Sequence, residues 1–197
     1  MSLPVAGVAL ATLGYLLGSV PFGVLVGKAL RGVDVRSAGS GNIGATNVAR
    51  VLGTGPGLLV LLLDAGKGAL AVLVARALAP GALGLQALAG VAAFVGHVAP
   101  FSLGFRGGKG VATALGVLGV LVPWAAVAGV LAYALVFAVT RISSLGSLVA
   151  GPAALAASAL WPGTRLSIAL TGSLYLAILF THRGNIRRLL QRAEERL

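Results

Sequence analysis

GLLVLLLDAGKGALAVLVARAL, residues Gly57 to Leu78, is a run of apolar residues interrupted by Asp64 and Lys67. A helix that crosses the hydrocarbon core of a bilayer needs about 20 such residues, and this run is long enough. The two internal charges stand three apart, on one face of a helix. They are most simply an ion pair that makes intramembrane charge tolerable, a structural role placed ahead of catalysis.

Similar runs lie on both sides. The first extends from Pro4 to Val26 and a third from Ala82 to Gly96. The stretch Val111 to Val139 is long for one helix, and Pro123, which lacks the donor an interior turn requires, divides it into two. Two more runs, Leu145 to Leu160 and Leu166 to Phe180, are separated by the turn WPGTR, and a polar, basic tail starts at Thr181. The whole chain agrees: 58% hydrophobic and 10% charged residues over 197, with a mean hydropathy of +1.01, lie far from a soluble domain. The expected fold is all-α, a polytopic integral membrane protein of about seven transmembrane helices. A five-span count is the alternative, with the second run partly in-plane and the fifth region unbroken. Residues 1–197 are read as a single membrane-integral domain. The first run follows no basic region and is too long for a signal-peptide core, so it is expected to be a retained helix. With no cysteine, disulfide frameworks, thiol nucleophiles and iron–sulfur ligation are excluded.

The net charge of +11 is unevenly placed. On seven spans, Lys28, Arg31, Arg36, Arg50, Arg106, Lys109, Arg141 and the tail arginines Arg183, Arg187, Arg188, Arg192 and Arg196 share one face, and only Arg76 and Arg165 fall near the other. The positive-inside rule makes the first face cytoplasmic, with the N-terminus outside and the C-terminus cytoplasmic. The expected location is a bacterial inner (cell) membrane. Orientation and anionic headgroups account for Arg188, Arg192 and Arg196, which sit with Glu194 and Glu195 in an amphipathic tail.

They account less well for two glycine-rich loops. GVDVRSAGSGNIGATNVARVLG, Gly32 to Gly53, lets backbone approach a ligand closely. Ser40, Asn42, Thr46 and Asn47 add neutral hydrogen-bonding groups, and Arg50 a planar fork suited to phosphate. A helix beginning near Asn42 would stack Thr46 and Arg50 on one face with Asn47 beside them. The loop GHVAPFSLGFRGGKGVAT, Gly96 to Thr113, resembles a phosphate cradle ahead of a helix N-terminus. It is not a nucleotide loop of the Walker type: Leu103 stands where glycine is needed, and Gly110 where a magnesium-holding hydroxyl is needed. Close helix packing is the plain alternative for glycine runs in membranes, but it does not call for Arg106 and Lys109 beside them. RISSLGS offers Ser143, Ser144 and Ser147 at a helix end, where hydroxyls can simply cap or bond backbone. THRGNIRRLL holds His182, Arg183 and Asn185.

SAGSGNIGATNVAR, with GSVP (Gly18 to Pro21), LDAGKG, GHVAPFSLGFRGGKGVAT and HRGNIRRLL, closely resembles the bacterial acyl-phosphate glycerol-3-phosphate acyltransferases in motif order and spacing. The resemblance implies a seven-helix membrane enzyme that makes lysophosphatidate and releases phosphate, the first acylation of phospholipid synthesis. It places phosphate-binding groups on Ser40, Thr46, Asn47 and Arg50, a glycine loop on Gly107, Gly108, Lys109 and Gly110 with His97 at its entrance, and a tail motif on His182 and Asn185. A further serine is either Ser144 or Ser147.

The chemistry fits those residue types. Both substrates carry phosphate, and an acyl phosphate is already activated, so the protein mainly positions reactants and stabilises the oxyanion and leaving group. Lys109, Arg50 and glycine-loop amides suit that task. Neither histidine is followed at the spacing of a His-x4-Asp pair, so a substrate phosphate oxygen is the expected proton acceptor, with His182 as positioning group or less favoured base. Four acidic residues argue against a multi-carboxylate metal site, so no metal or cofactor is expected. The expected partners are the two substrates and membrane lipids, with no nucleic acid and no protein partner. A small-anion transporter is the alternative function, disfavoured because the polar motifs cluster on one side and no inverted repeat is visible. A basic lipid-binding protein without chemistry is a third.

Overall fold

The computed structural model describes residues 3–160 and 165–197, and among these the regular secondary structure is entirely helical. The expected turn at WPGTR falls largely on residues 161–164, outside the described residues. The chain forms two compact units, divided between Val117 and Leu118.

In the first unit, α1 (Leu3–Gly18) and α2 (Phe22–Arg31) occupy the run expected to be one helix. The break is local: Pro21 cannot donate, and Ser19 Oγ donates to the Tyr15 carbonyl at the buried end of α1. The helix α2 stops at Gly32, whose left-handed backbone (φ 65°) lets its amide close on the Lys28 carbonyl. A 3-10 turn (Val35–Ser37) and the short helix α3 (Ala45–Leu52) precede α4 (Thr54–Leu78), which contains the decisive run. After α5 (Leu83–Val98) come a second 3-10 turn (Phe101–Leu103) and α6 (Val111–Leu121). Small residues let these helices meet backbone to backbone: side chains at Gly14 and Gly18 of α1 would overlap the carbonyls of Ala89 and Ala93 on α5, and one at Gly68 of α4 the carbonyl of Thr113 on α6. Val24, Val26, Val35, Ile43, Val48 and Val60 form the apolar cluster beneath the first loop.

In the second unit, Pro123 starts a new helix as expected, α7 (Pro123–Thr140), followed by α8 (Ser143–Ala159), α9 (Arg165–Thr181) and α10 (Arg183–Leu190). The Ser158 and Thr171 hydroxyls bond at 2.8 Å between α8 and α9. A 62° bend separates α9 from α10. The tail then returns, and the Leu197 amide donates to the Arg141 carbonyl at 2.9 Å.

Every expected run contains a helix, yet length divides them. Residues 3–31, α4, residues 83–103 and α7 are long and apolar enough to cross a membrane, and the bent pair α9 and α10 adds a fifth when counted as one. The helices α6 and α8 are apolar but shorter. At 1.5 Å rise per residue, α6 extends only about 16 Å against a hydrocarbon core of about 30 Å. The surface pattern is inverted relative to a protein in water. Leu131, Leu135 and Val139, one turn apart on α7, are 64, 69 and 79% exposed, while Gln86, Thr113 and Ser158 are buried.

Candidate functional site

The first loop is organised by side chains that sequence reasoning assigned to a ligand. The helix α3 begins at Ala45 and not near Asn42, because Asn42 lies in the preceding turn with its Oδ1 accepting from the Gly44 amide at 2.9 Å. Thr46 and Arg50 do stand one turn apart on α3, both half-buried. Asn47 points the other way. It is buried; its Oδ1 accepts from the Ser40 amide (2.8 Å), and its Nδ2 donates to the carbonyls of Val35 (2.8 Å) and Asn42 (2.8 Å). Those bonds use both donor protons and one acceptor lone pair of the amide, and through them Asn47 shapes the loop. Arg36 is also engaged: it pairs with Asp34 at 2.6 Å, and its hydrogen bonds hold the Asp34 carboxyl at a pKa of about 2. Ser40 is left exposed at the rim.

The glycine loop has a different anchor from the one expected. His97 is not in the loop but in the last turn of α5, buried, with Nδ1 3.4 Å from Asp64 Oδ1. The same oxygen lies 2.7 Å from Lys67 Nζ, which also donates to the Val20 carbonyl at 2.8 Å. The expected ion pair therefore exists and lies against a histidine, bringing the break between α1 and α2 together with α4 and α5. The amides of Gly107 and Gly108 donate to the carbonyls of Val98 and His97, both at 3.0 Å. These two N–H groups face the end of α5 and are not offered to a ligand. The glycines serve sterically instead: a Cβ at Gly108 would overlap the His97 ring, and Gly110 combines a φ of 84° with the Phe94 ring where a Cβ would stand. Lys109 is half-buried between them, just before the first turn of α6.

In the second unit the two serine candidates separate. Ser147 Oγ donates to the Ser143 carbonyl of its own helix at 3.0 Å, an ordinary back-bond. Ser144 Oγ donates to Glu194 Oε1 at 2.7 Å. Asn185, on α10, donates from Nδ2 to the same oxygen, and Arg188 Nε donates to Oε2 at 2.6 Å. Burial pushes the Glu194 carboxyl upward, but the hydrogen bonds from Ser144, Asn185 and Arg188 outweigh it and leave the group below its ordinary value. His182, buried at the bend, has Nδ1 2.9 Å from the Ile178 carbonyl, which makes Nδ1 the donor and Nε2 the acceptor of the neutral ring.

Sequence reasoning missed Glu194 as a site component and the contact of Asp64 with His97. No spacing signals either. Glu194 lies nine residues beyond Asn185 and past the end of its helix, and Asp64 and His97 sit on separate helices.

Exposed apolar helix faces, buried charge pairing and polar clusters at helix ends define an integral membrane protein. A glycerol-3-phosphate acyltransferase family model matches residues 8–192, and the chain belongs to that family. It is 57% identical to a glycerol-3-phosphate acyltransferase of Myxococcus xanthus over 95% of this chain and 98% of that protein. It is 49% identical to one from Anaeromyxobacter dehalogenans over the full length of both. Its fold is similar to the crystal structure of PlsY, an integral membrane glycerol 3-phosphate acyltransferase. In the glycerol 3-phosphate form of that structure the TM-score is 0.89 at 38% identity, covering 97% of this chain and 95% of that one. The lysophosphatidic acid form of the same enzyme gives 0.88.

Proposed function

We propose that this acyltransferase moves an acyl group from acyl phosphate to the sn-1 hydroxyl of glycerol 3-phosphate, giving lysophosphatidate and inorganic phosphate. The observation that carries the reading is the likeness to an enzyme solved with glycerol 3-phosphate and with lysophosphatidic acid, an acceptor and its acylated product. The acyl-phosphate donor rests on the motif resemblance and on a site furnished with cations. The hydroxyl oxygen attacks the acyl carbonyl, the acyl–oxygen bond to phosphate breaks, and the hydroxyl proton leaves on phosphate. Lys109 and Arg50 hold the anionic groups, with Ser40 and Thr46 at the rim, and Lys109 stabilises the charge on the leaving phosphate. Purified protein in detergent should release phosphate and lysophosphatidate in equal amounts from acyl phosphate and glycerol 3-phosphate. Turnover with acyl-CoA but not acyl phosphate, or exchange of anions across vesicles without product, would refute the reading.

Proton removal falls to a phosphate oxygen of the substrate in this scheme. His182, held by the bond from its Nδ1 to the Ile178 carbonyl, serves as a positioning group and not as the base. His182→Gln is therefore expected to weaken activity yet keep the acidic limb of the pH–rate profile. Loss of that limb at unchanged substrate affinity would make His182 the base.

The orientation follows from charge. The loops bearing Lys28, Arg31, Arg50, Arg106 and Lys109, with Arg141 and the tail arginines, are assigned to the cytoplasmic side across seven spans, with α6 and α8 as short ones. A cysteine introduced at Ser102, in a chain with none of its own, should react with impermeant maleimide only in inverted vesicles. Reaction in intact cells would reverse the assignment.

A further inference from the structure

Glu194 belongs to none of the motifs, yet it gathers three donors that converge from two elements. Ser144 comes from the start of α8, Asn185 and Arg188 from α10. Its side chain is 8% exposed although only three residues follow it in the sequence, and the Leu197 bond to Arg141 straps the tail in place. A solvated tail residue would not be held this way.

The hydrogen bonds have a direction. An ionised carboxylate only accepts, so the single hydroxyl proton of Ser144 is turned toward Glu194. Ser144 Oγ is left with lone pairs alone for anything else that approaches. A phosphate dianion offers acceptors and meets a poor partner there, whereas an alcohol offers a proton and meets a good one. Asn185, with one amide proton committed, keeps its carbonyl oxygen and a second N–H. Glu194 does not serve as base, since three donors already stabilise its ionised form.

We propose that Glu194 is a positioning residue that sets acceptor specificity: it orients Ser144 and Asn185 so that Ser144 Oγ accepts a hydrogen bond from a hydroxyl of the polyol phosphate. This inference rests on the proposed acyltransferase function and takes Asn185, with Ser144 in preference to Ser147, as part of its acceptor site.

The test is steady-state kinetics of the full chain in detergent with both substrates varied. Glu194→Gln keeps the side-chain size but removes the charge that fixes the serine proton. It should raise KM for glycerol 3-phosphate roughly tenfold, the scale of a hydrogen bond to a charged group, and leave KM for acyl phosphate within about twofold. Glu194→Asp should recover most of the loss, and Glu195→Gln should show none. In a Ser144→Ala background, Glu194→Gln should cost less than about half as much in free energy, because its main route of action is gone. Raised KM in Ser144→Ala and Asn185→Ala but not in Glu194→Gln would overturn the inference and leave the site intact. No change in Ser144→Ala or Asn185→Ala would overturn the site placement itself. A Glu194→Gln enzyme with a lower melting temperature and both KM values unchanged would show a merely structural tail, and would also overturn the inference.

Discussion

Lys109→Ala should reduce kcat/KM by about a thousandfold, the upper range for removing one placed electrostatic donor from an active site, while Arg192→Ala should stay within about twofold. Each change removes one positive charge from a protein of net charge +11, so the pair separates placed charge from bulk charge. Lys109 is half-buried, fixed between Gly108 and Gly110, whose positions are set by the His97 and Phe94 rings. Arg192 lies exposed in the tail. Lys109→Arg should recover little, because a broad planar fork does not replace a compact ammonium at a constrained position. Equal losses for Lys109→Ala and Arg192→Ala would mean that general attraction of anions to a basic surface carries the activity.

Gly108→Ala should be nearly as damaging, about a hundredfold in kcat/KM, the scale of a misplacement of roughly 1 Å at a positioned group. The added methyl would overlap the His97 imidazole, which cannot swing aside freely because it is buried against Asp64. Either the ring leaves Asp64 or the loop lifts from the end of α5, breaking the bond from the Gly108 amide to the His97 carbonyl, and Lys109 moves with it. Suppression makes the argument testable. In a His97→Ala background the overlap is absent, and Gly108→Ala should then cost less than about tenfold relative to that background. An undiminished cost in that background would show that the glycine is needed for backbone or ligand reasons unrelated to the histidine.

These expectations use features that were unevenly legible in the sequence. The helices could be located because lipid imposes a simple rule on composition and length, and Pro123 marks its break without ambiguity. Pro21 breaks the first run just as Pro123 breaks its own, but the apolar pattern continues across it, so the pattern predicts one helix where there are two. The ion pair of Asp64 and Lys67 follows from helical spacing. Its approach to His97 does not, because contact between helices depends on which faces the glycine seams bring together. The asparagines show the limit of composition most clearly. Asn47 has the chemistry of a phosphate ligand, but the backbone turn around it consumes that chemistry, and only geometry distinguishes the two uses. Glu194 shows the reverse: an acidic residue in a basic tail invites a solvent reading until its three donors are seen.

The buried pair in α4 also bears on the electrical state of the membrane. A lone charge moved through the full transmembrane potential gains or loses about 2.3 kcal/mol per 100 mV, enough to bias any segment attached to it. Asp64 and Lys67 sit 2.7 Å apart and together carry no net charge. The potential therefore exerts no net force on them and acts only on a small dipole. Because the α1–α2 break and the end of α5 meet at this pair, its two charges give the field no net pull on the helices they join.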